Sequence, residues 1–80
     1  MNDTDTVTYR PPVRRVIRGL LSDYGREFGV GDEVLVSMTH HETDADAGAI
    51  RRTIARLEQR GEIYNTSGDV DAPVWKVTRL

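Results

Sequence analysis

The sequence predicts a small α+β domain in which three helices are followed by a β-hairpin. Three observations carry that prediction. Apolar residues recur at three- and four-residue steps through Val13, Val16, Ile17, Leu20 and Tyr24, and again through Ala47, Ile50, Ile54 and Leu57. That spacing gathers side chains on one face of a helix. Near the C-terminus Trp75 and Val77 alternate with Lys76 and Thr78 instead, the two-residue period of a half-buried strand. The period changes at Gly61, and Ser67-Gly68-Asp69 supplies turn chemistry between two candidate strands. With 80 residues, 38% hydrophobic and 30% charged, and no cysteine, the chain is expected to be one globular domain. Neither a disulfide framework nor a Cys-based zinc site is open to it.

The elements follow in order. Residues 1–10 are polar, rich in Asp and Thr, and read as a flexible tail, with the domain over 11–80. Pro11 and Pro12 set the entry to the first helix, where a missing N–H costs nothing. Its buried stripe is Val13, Val16, Ile17, Leu20 and Tyr24, with Leu21 at the flank, while Arg14, Arg15, Arg18 and Ser22 face away. Gly25 suits the position just past its end. Asp32 suits the cap of a second helix over about 33–41, with Val34, Met38 and His41 on one face. The run Val34-Leu35-Val36 suits a buried strand as well. The third helix covers about 44–60, capped by Thr43 or Asp44, with Asp44 and Asp46 complementing the positive helix end. Gly61 closes it. Strands are expected over 62–66 and 74–80, the second opened by Pro73, and Trp75 is expected to cover the third helix.

No apolar run approaches the ~20 residues that span a bilayer. The stretch MNDTDTVTY has neither the basic nor the apolar part of a secretory signal, so a cytoplasmic protein with no membrane partner is expected. The net charge of −2 argues against nucleic acid, but its distribution matters more than its sum. Five arginines between Arg10 and Arg26 face Asp23 alone; Asp32 to Asp46 holds five acids and no Lys or Arg; four arginines between Arg51 and Arg60 face only Glu58. One basic surface can therefore coexist with an acidic back. Ten of the eleven Lys and Arg residues are Arg, the side chain suited to phosphate forks. The same bias, with much Asp and a single Lys, is also the compositional habit of salt-loving archaea.

The third helix carries the chemistry. Opposite its apolar seam stand Arg52, Arg56 and Gln59, with Arg60 at the edge. Arginines four apart repel slightly in water, and Arg and Gln both offer the paired groups that read base edges. This is the pattern of a recognition helix, with phosphate contacts from Arg51 and Arg60 holding it in register. Arg14, Arg15 and Arg18 on the first helix would add phosphate contacts, and Lys76 lies further along the last strand. Against this, the hairpin tip is acidic at Asp69 and Asp71, the wrong sign for phosphates and the best argument for a protein partner. The bland alternative for each arginine face is a solvated helix side.

Three helices and a hairpin is the order of a winged helix-turn-helix, the second and third helices forming the helix-turn-helix and residues 62–80 the wing. The stretch GEIYNTSGDVDAPVWKVT resembles the end of winged-helix domains in replication proteins. These are the C-terminal domains of archaeal minichromosome maintenance helicases and of the middle subunit of replication protein A. The motif-like residues are Gly61, Ile63 and Tyr64, with the strand pattern that follows, within a resemblance spanning Val13 to Thr78. The resemblance implies a winged-helix fold and, through replication protein A, protein binding; the DNA-binding reading adds the expectation of a role in DNA replication or transcriptional regulation. Two features depart from the pattern, a longer wing with an Asp-Val-Asp-Ala-Pro insert and a recognition face richer in arginine, the latter favouring DNA.

Double-stranded DNA is thus the expected partner, with a homodimer or larger assembly adding affinity, and no cofactor is implied. His40, His41, Glu42, Asp44 and Asp46 could in principle ligate a metal, but adjacent histidines diverge on a helix and the acids serve as caps. No catalytic site is read, since eighty residues leave little room for a water-excluding cleft. Trp75 and Phe28 read as packing residues; an exposed Trp75 would mark a partner surface instead.

Overall fold

The first helix, α1, spans Val13–Tyr24 and starts from Pro12, whose extended backbone (φ −60, ψ 141) leaves its carbonyl to accept the Val16 N–H at 3.1 Å. The structure, a computed structural model, describes residues 11–78. The expected tail over 1–10 and the last two residues of the expected 74–80 strand lie outside the described residues. Ile17, Leu20 and Leu21 are buried, with Val13 and Val16 packed at the margin. Leu21, expected at the flank, is fully buried, and Tyr24, expected in the stripe, is 67% exposed. The helix ends at Tyr24, so that position falls beyond the core. Gly25 donates its N–H to the Leu21 carbonyl, and the turn that follows carries Phe28 into solvent, correcting its reading as a packing residue.

A short strand not anticipated from the sequence comes next. β1, Val30–Gly31, pairs antiparallel with β3, Val74–Val77, aligning Val30 with Trp75 and Gly31 with Val74. Gly29 makes this approach possible: its φ is +82, and a Cβ there would lie 2.7 Å from Val74 Cγ1 and 3.0 Å from the Trp75 carbonyl oxygen. Two residues show no period, which is why the pattern concealed the strand.

α2, Asp32–Thr43, is a helix rather than a strand, and Gly31 rather than Asp32 is its cap residue. Its buried side chains are Leu35, Val36, Thr39 and Thr43, with Met38 beside them. The expected face of Val34, Met38 and His41 is rotated, for Val34 and His41 are exposed. Three apolar residues in a row left the face undetermined, and two threonines complete it. Thr43 satisfies its hydroxyl by donating to the Thr39 carbonyl at 2.7 Å and accepting the Ala45 N–H at 3.1 Å.

α3, Ala47–Gln59, begins later than expected. Its cap is Asp46, whose Oδ1 accepts the Ala49 N–H at 2.7 Å. Asp44 instead ends α2 in the left-handed region, and Thr43 is still within α2. Ile50, Ile54 and Leu57 are buried as expected, while Ala47, in the first turn, is exposed. At the other end Glu62 N–H bonds Leu57 O and Gly61 N–H bonds Glu58 O, both at 2.9 Å, with Gly61 at φ +75. This paired closure needs a residue free to adopt positive φ.

β2, Ile63–Asn65, then pairs with β3, setting Ile63 opposite Val77, Tyr64 opposite Lys76 and Asn65 opposite Trp75. The result is an α+β fold of three helices and a three-stranded antiparallel sheet of order β1-β3-β2. The core lies between the helices and one face of the sheet, with β3 against α1 and β2 against α3. Trp75 is 5% exposed and donates its indole N–H to Asp32 Oδ1, 2.9 Å away at the start of α2, so it is no partner surface. Among the described residues no helix is long and apolar enough to cross a membrane.

Candidate nucleic-acid interface

α3 is pinned by Ile50, Ile54 and Leu57, which fixes what its other sides present. Arg52, Arg56 and Gln59 all stand in solvent, and neither arginine pairs with a carboxylate among the described residues. The Arg52 guanidinium lies back over Gly48, where an added Cβ would be 3.5 Å from its Nη1. Arg51 and Arg60, expected to act together, are nine residues apart and so stand on opposite edges of the helix. Arg51 turns toward α2, bonded to the Asp32 carboxylate and 3.9 Å from Glu33 Oε2. Arg60, at the C-cap, has its Nη1 3.8 Å from Glu62 Oε2.

α1 contributes the second group of cations. Arg14, Arg15 and Arg18 are exposed and line one shallow depression with Gly19 and Ser22. Arg18 donates from Nη1 to Glu62 Oε1 at 3.1 Å. A single carboxylate therefore holds Arg18 of α1 on one oxygen and has Arg60 of α3 near the other. Reading the sequence overlooked Glu62, because nothing in a pattern reveals a partner 44 residues away. Its place, just past the glycine that closes a basic helix, was the available hint.

Lys76 does not join this group. It lies on the other face of the sheet beside Tyr64, bordering a depression with Arg26, and its Nζ donates to the Glu27 carbonyl at 2.8 Å. The hairpin loop is equally separate, and it is ordered by its own side chains. Asn65 Oδ1 accepts from Ser67 N–H at 2.9 Å and Val74 N–H at 3.0 Å, and Asn65 Nδ2 donates to the Asp69 carbonyl at 3.1 Å. Asp69 Oδ1 accepts the Asp71 N–H at 2.9 Å, so part of the tip's acidity serves the turn itself.

Between α2 and α3, His40 Nδ1 lies 2.7 Å from the Ala45 carbonyl oxygen, and Asp46 is engaged as a cap. Among the described residues no three His, Asp or Glu side chains are grouped so as to hold a metal ion. The arrangement as a whole is a set of open cationic ridges suited to an extended polyanion. Compared with protein-family models, curated proteins and solved structures, the chain matches none, so a functional reading rests on these side chains and the fold that displays them.

Proposed function

We propose that this chain is a winged helix-turn-helix domain that binds double-stranded DNA, with α3 as its recognition helix. One observation carries the reading: α3 is anchored by a buried aliphatic seam and turns two unpaired arginines and a glutamine to solvent on its far side. Order α1-β1-α2-α3-β2-β3 with a β1-β3-β2 sheet supports it, since α2 and α3 then form the helix-turn-helix and β2-β3 the wing. Arg52, Arg56 and Gln59 face the major groove, where Arg pairs with guanine and Gln with adenine. Arg14, Arg15, Arg18 and Arg60 contact phosphates. The biological setting of such a domain is DNA replication, as the resemblance to replication-protein domains suggests, or transcriptional regulation. A single module has a small footprint, so useful affinity calls for a homodimer or a larger assembly.

The test is fluorescence anisotropy with a labelled mixed-sequence duplex over a series of salt concentrations, extended to high potassium because the composition is that of salt-adapted proteins. Binding that weakens steeply with salt is expected. Arg52→Ala combined with Arg56→Ala should abolish retention while circular dichroism stays unchanged. A folded protein that binds no duplex at any salt would end the reading.

A second reading has its own observation. Beside the wing, exposed Val34 lines an apolar depression with Ala72, Pro73 and Val74, rimmed by Glu33 and Asp71. As a protein-binding module the domain would take a basic partner there. That reading predicts loss of the partner in Glu33→Lys with Asp71→Lys, and retention of it would count against the reading.

A further inference from the structure

The two edges of α3 meet opposite environments. Toward one, a row of Arg52, Arg56 and Arg60 at four-residue steps runs from the far side of the helix, reaching the edge at Arg60. That row ends at Glu62, whose carboxylate also holds Arg18, and from Arg18 the cations continue to Arg14, four residues back along α1. Along the other edge stand Glu58 and Arg51, the latter taken up by Asp32 and Glu33. Past them lies the depression at the base of the wing, rimmed by Glu33 and Asp71.

We propose that duplex DNA lies edge-on across the seam between α3 and α1, centred on Glu62, with the wing tip turned away from the phosphates. The inference rests on the DNA-binding reading and specifies which side of α3 the duplex occupies. Duplex DNA carries one negative charge per about 1.7 Å of its axis, so the sign of whatever flanks the recognition helix decides the approach. On the α1 side the duplex meets five arginines, Arg14, Arg18, Arg52, Arg56 and Arg60, against two carboxylates, Glu62 at the seam and Asp46, which lies near the Arg52 guanidinium and is engaged as the α3 cap. The Glu62 carboxylate is partly shielded: its side chain is 25% exposed, whereas Arg18 and Arg60, 3.1 Å and 3.8 Å from its oxygens, are 51% and 56% exposed. On the wing side the duplex would meet Glu33, Asp69 and Asp71, with Arg51 already neutralised. Like charges there repel the inverted approach, so the acidic wing fixes the orientation without touching DNA.

The chain has no cysteine, so single labels can be placed without background. Ser22→Cys puts a fluorophore in the α1 depression, and Val70→Cys puts one at the wing tip, where Val70 is 85% exposed. Each labelled protein is titrated with a mixed-sequence duplex carrying internal quenchers, and binding is followed independently by anisotropy of a labelled duplex. Quenching at position 22 with none at position 70 is the expected result. In a companion measurement Asp71→Lys should bind within about twofold of the parent, since a phosphate near the wing would otherwise gain a contact worth severalfold. Quenching at position 70, alone or with position 22, overturns the edge-on arrangement. So does binding that quenches neither label, or a severalfold gain in Asp71→Lys. Absence of binding in the anisotropy titration overturns the DNA reading itself, an outcome distinct from a misplaced duplex.

Discussion

Asp32 shows how much a single side chain can settle in a core this small. It is the first residue of α2, where its charge favours the positive helix end, yet its larger role is tertiary. One oxygen accepts the Trp75 indole N–H and the other the Arg51 guanidinium, joining α2, β3 and α3. Asp32→Ala would leave the buried indole N–H without a partner, at a cost of about 2 kcal/mol. Arg51→Ala removes only a half-exposed pair and should cost under about 1 kcal/mol. Urea denaturation of the two variants gives the comparison directly, and equal losses would show that the indole bond contributes little. The sequence displayed Asp32 as a cap residue, because a cap is a local feature and a bond across 43 residues is not. Thr39 is the converse case. It is fully buried and its Oγ1 has no hydrogen-bond partner, so Thr39→Val should raise stability by about 1 kcal/mol. A higher urea midpoint at unchanged slope is the expected signature.

At the scale of elements, legibility followed the strength of the local signal. The seam of α3 is read directly from Ile50, Ile54 and Leu57, and its end from Gly61, because period and closure are both encoded within a few residues. α2 is harder, since Val34-Leu35-Val36 names no face and the threonines that complete the buried one are polar. The face was settled only by what α1 and α3 offered to pack against. The boundary between α2 and α3 held several capping candidates in succession, Thr43, Asp44 and Asp46, and backbone geometry assigned each a different task. Asp46→Ala should therefore cost about 1 kcal/mol and speed amide exchange at Ala49. Thr43 acts elsewhere, so Thr43→Ala should leave the Ala49 amide protected; exposure of Ala49 in that variant instead would assign the cap to Thr43. The hairpin loop is the turn that Ser67-Gly68-Asp69 predicts, and it is knitted by Asn65, Ser67 and Asp69, a task for Asp69 that its charge alone does not show.

At the scale of the whole molecule the net charge of −2 conceals a division into a basic edge and an acidic one. The blocks of like charge were visible along the chain, but their grouping was not. Arg14 and Arg18 lie far from Arg56 and Arg60 in sequence, and only the meeting of Arg18 and Arg60 at Glu62 makes one surface of them. Conversely Arg51 and Arg52 are neighbours in sequence but belong to different surfaces, and this yields the sharpest measurement. An arginine already compensated by Asp32 and Glu33 releases few counterions when DNA arrives, whereas an uncompensated one releases about one. In a plot of log affinity against log salt, Arg52→Ala should make the slope shallower by about 0.9, and Arg51→Ala should leave it nearly unchanged. Unfolding midpoints should order the pair the other way, because Arg51 holds an ion pair to α2 and Arg52 holds none among the described residues. If both variants shifted the slope equally, the ion pairs at the start of α2 would be too weak to withhold Arg51 from DNA. The basic surface would then encircle α3 rather than occupy one edge of it.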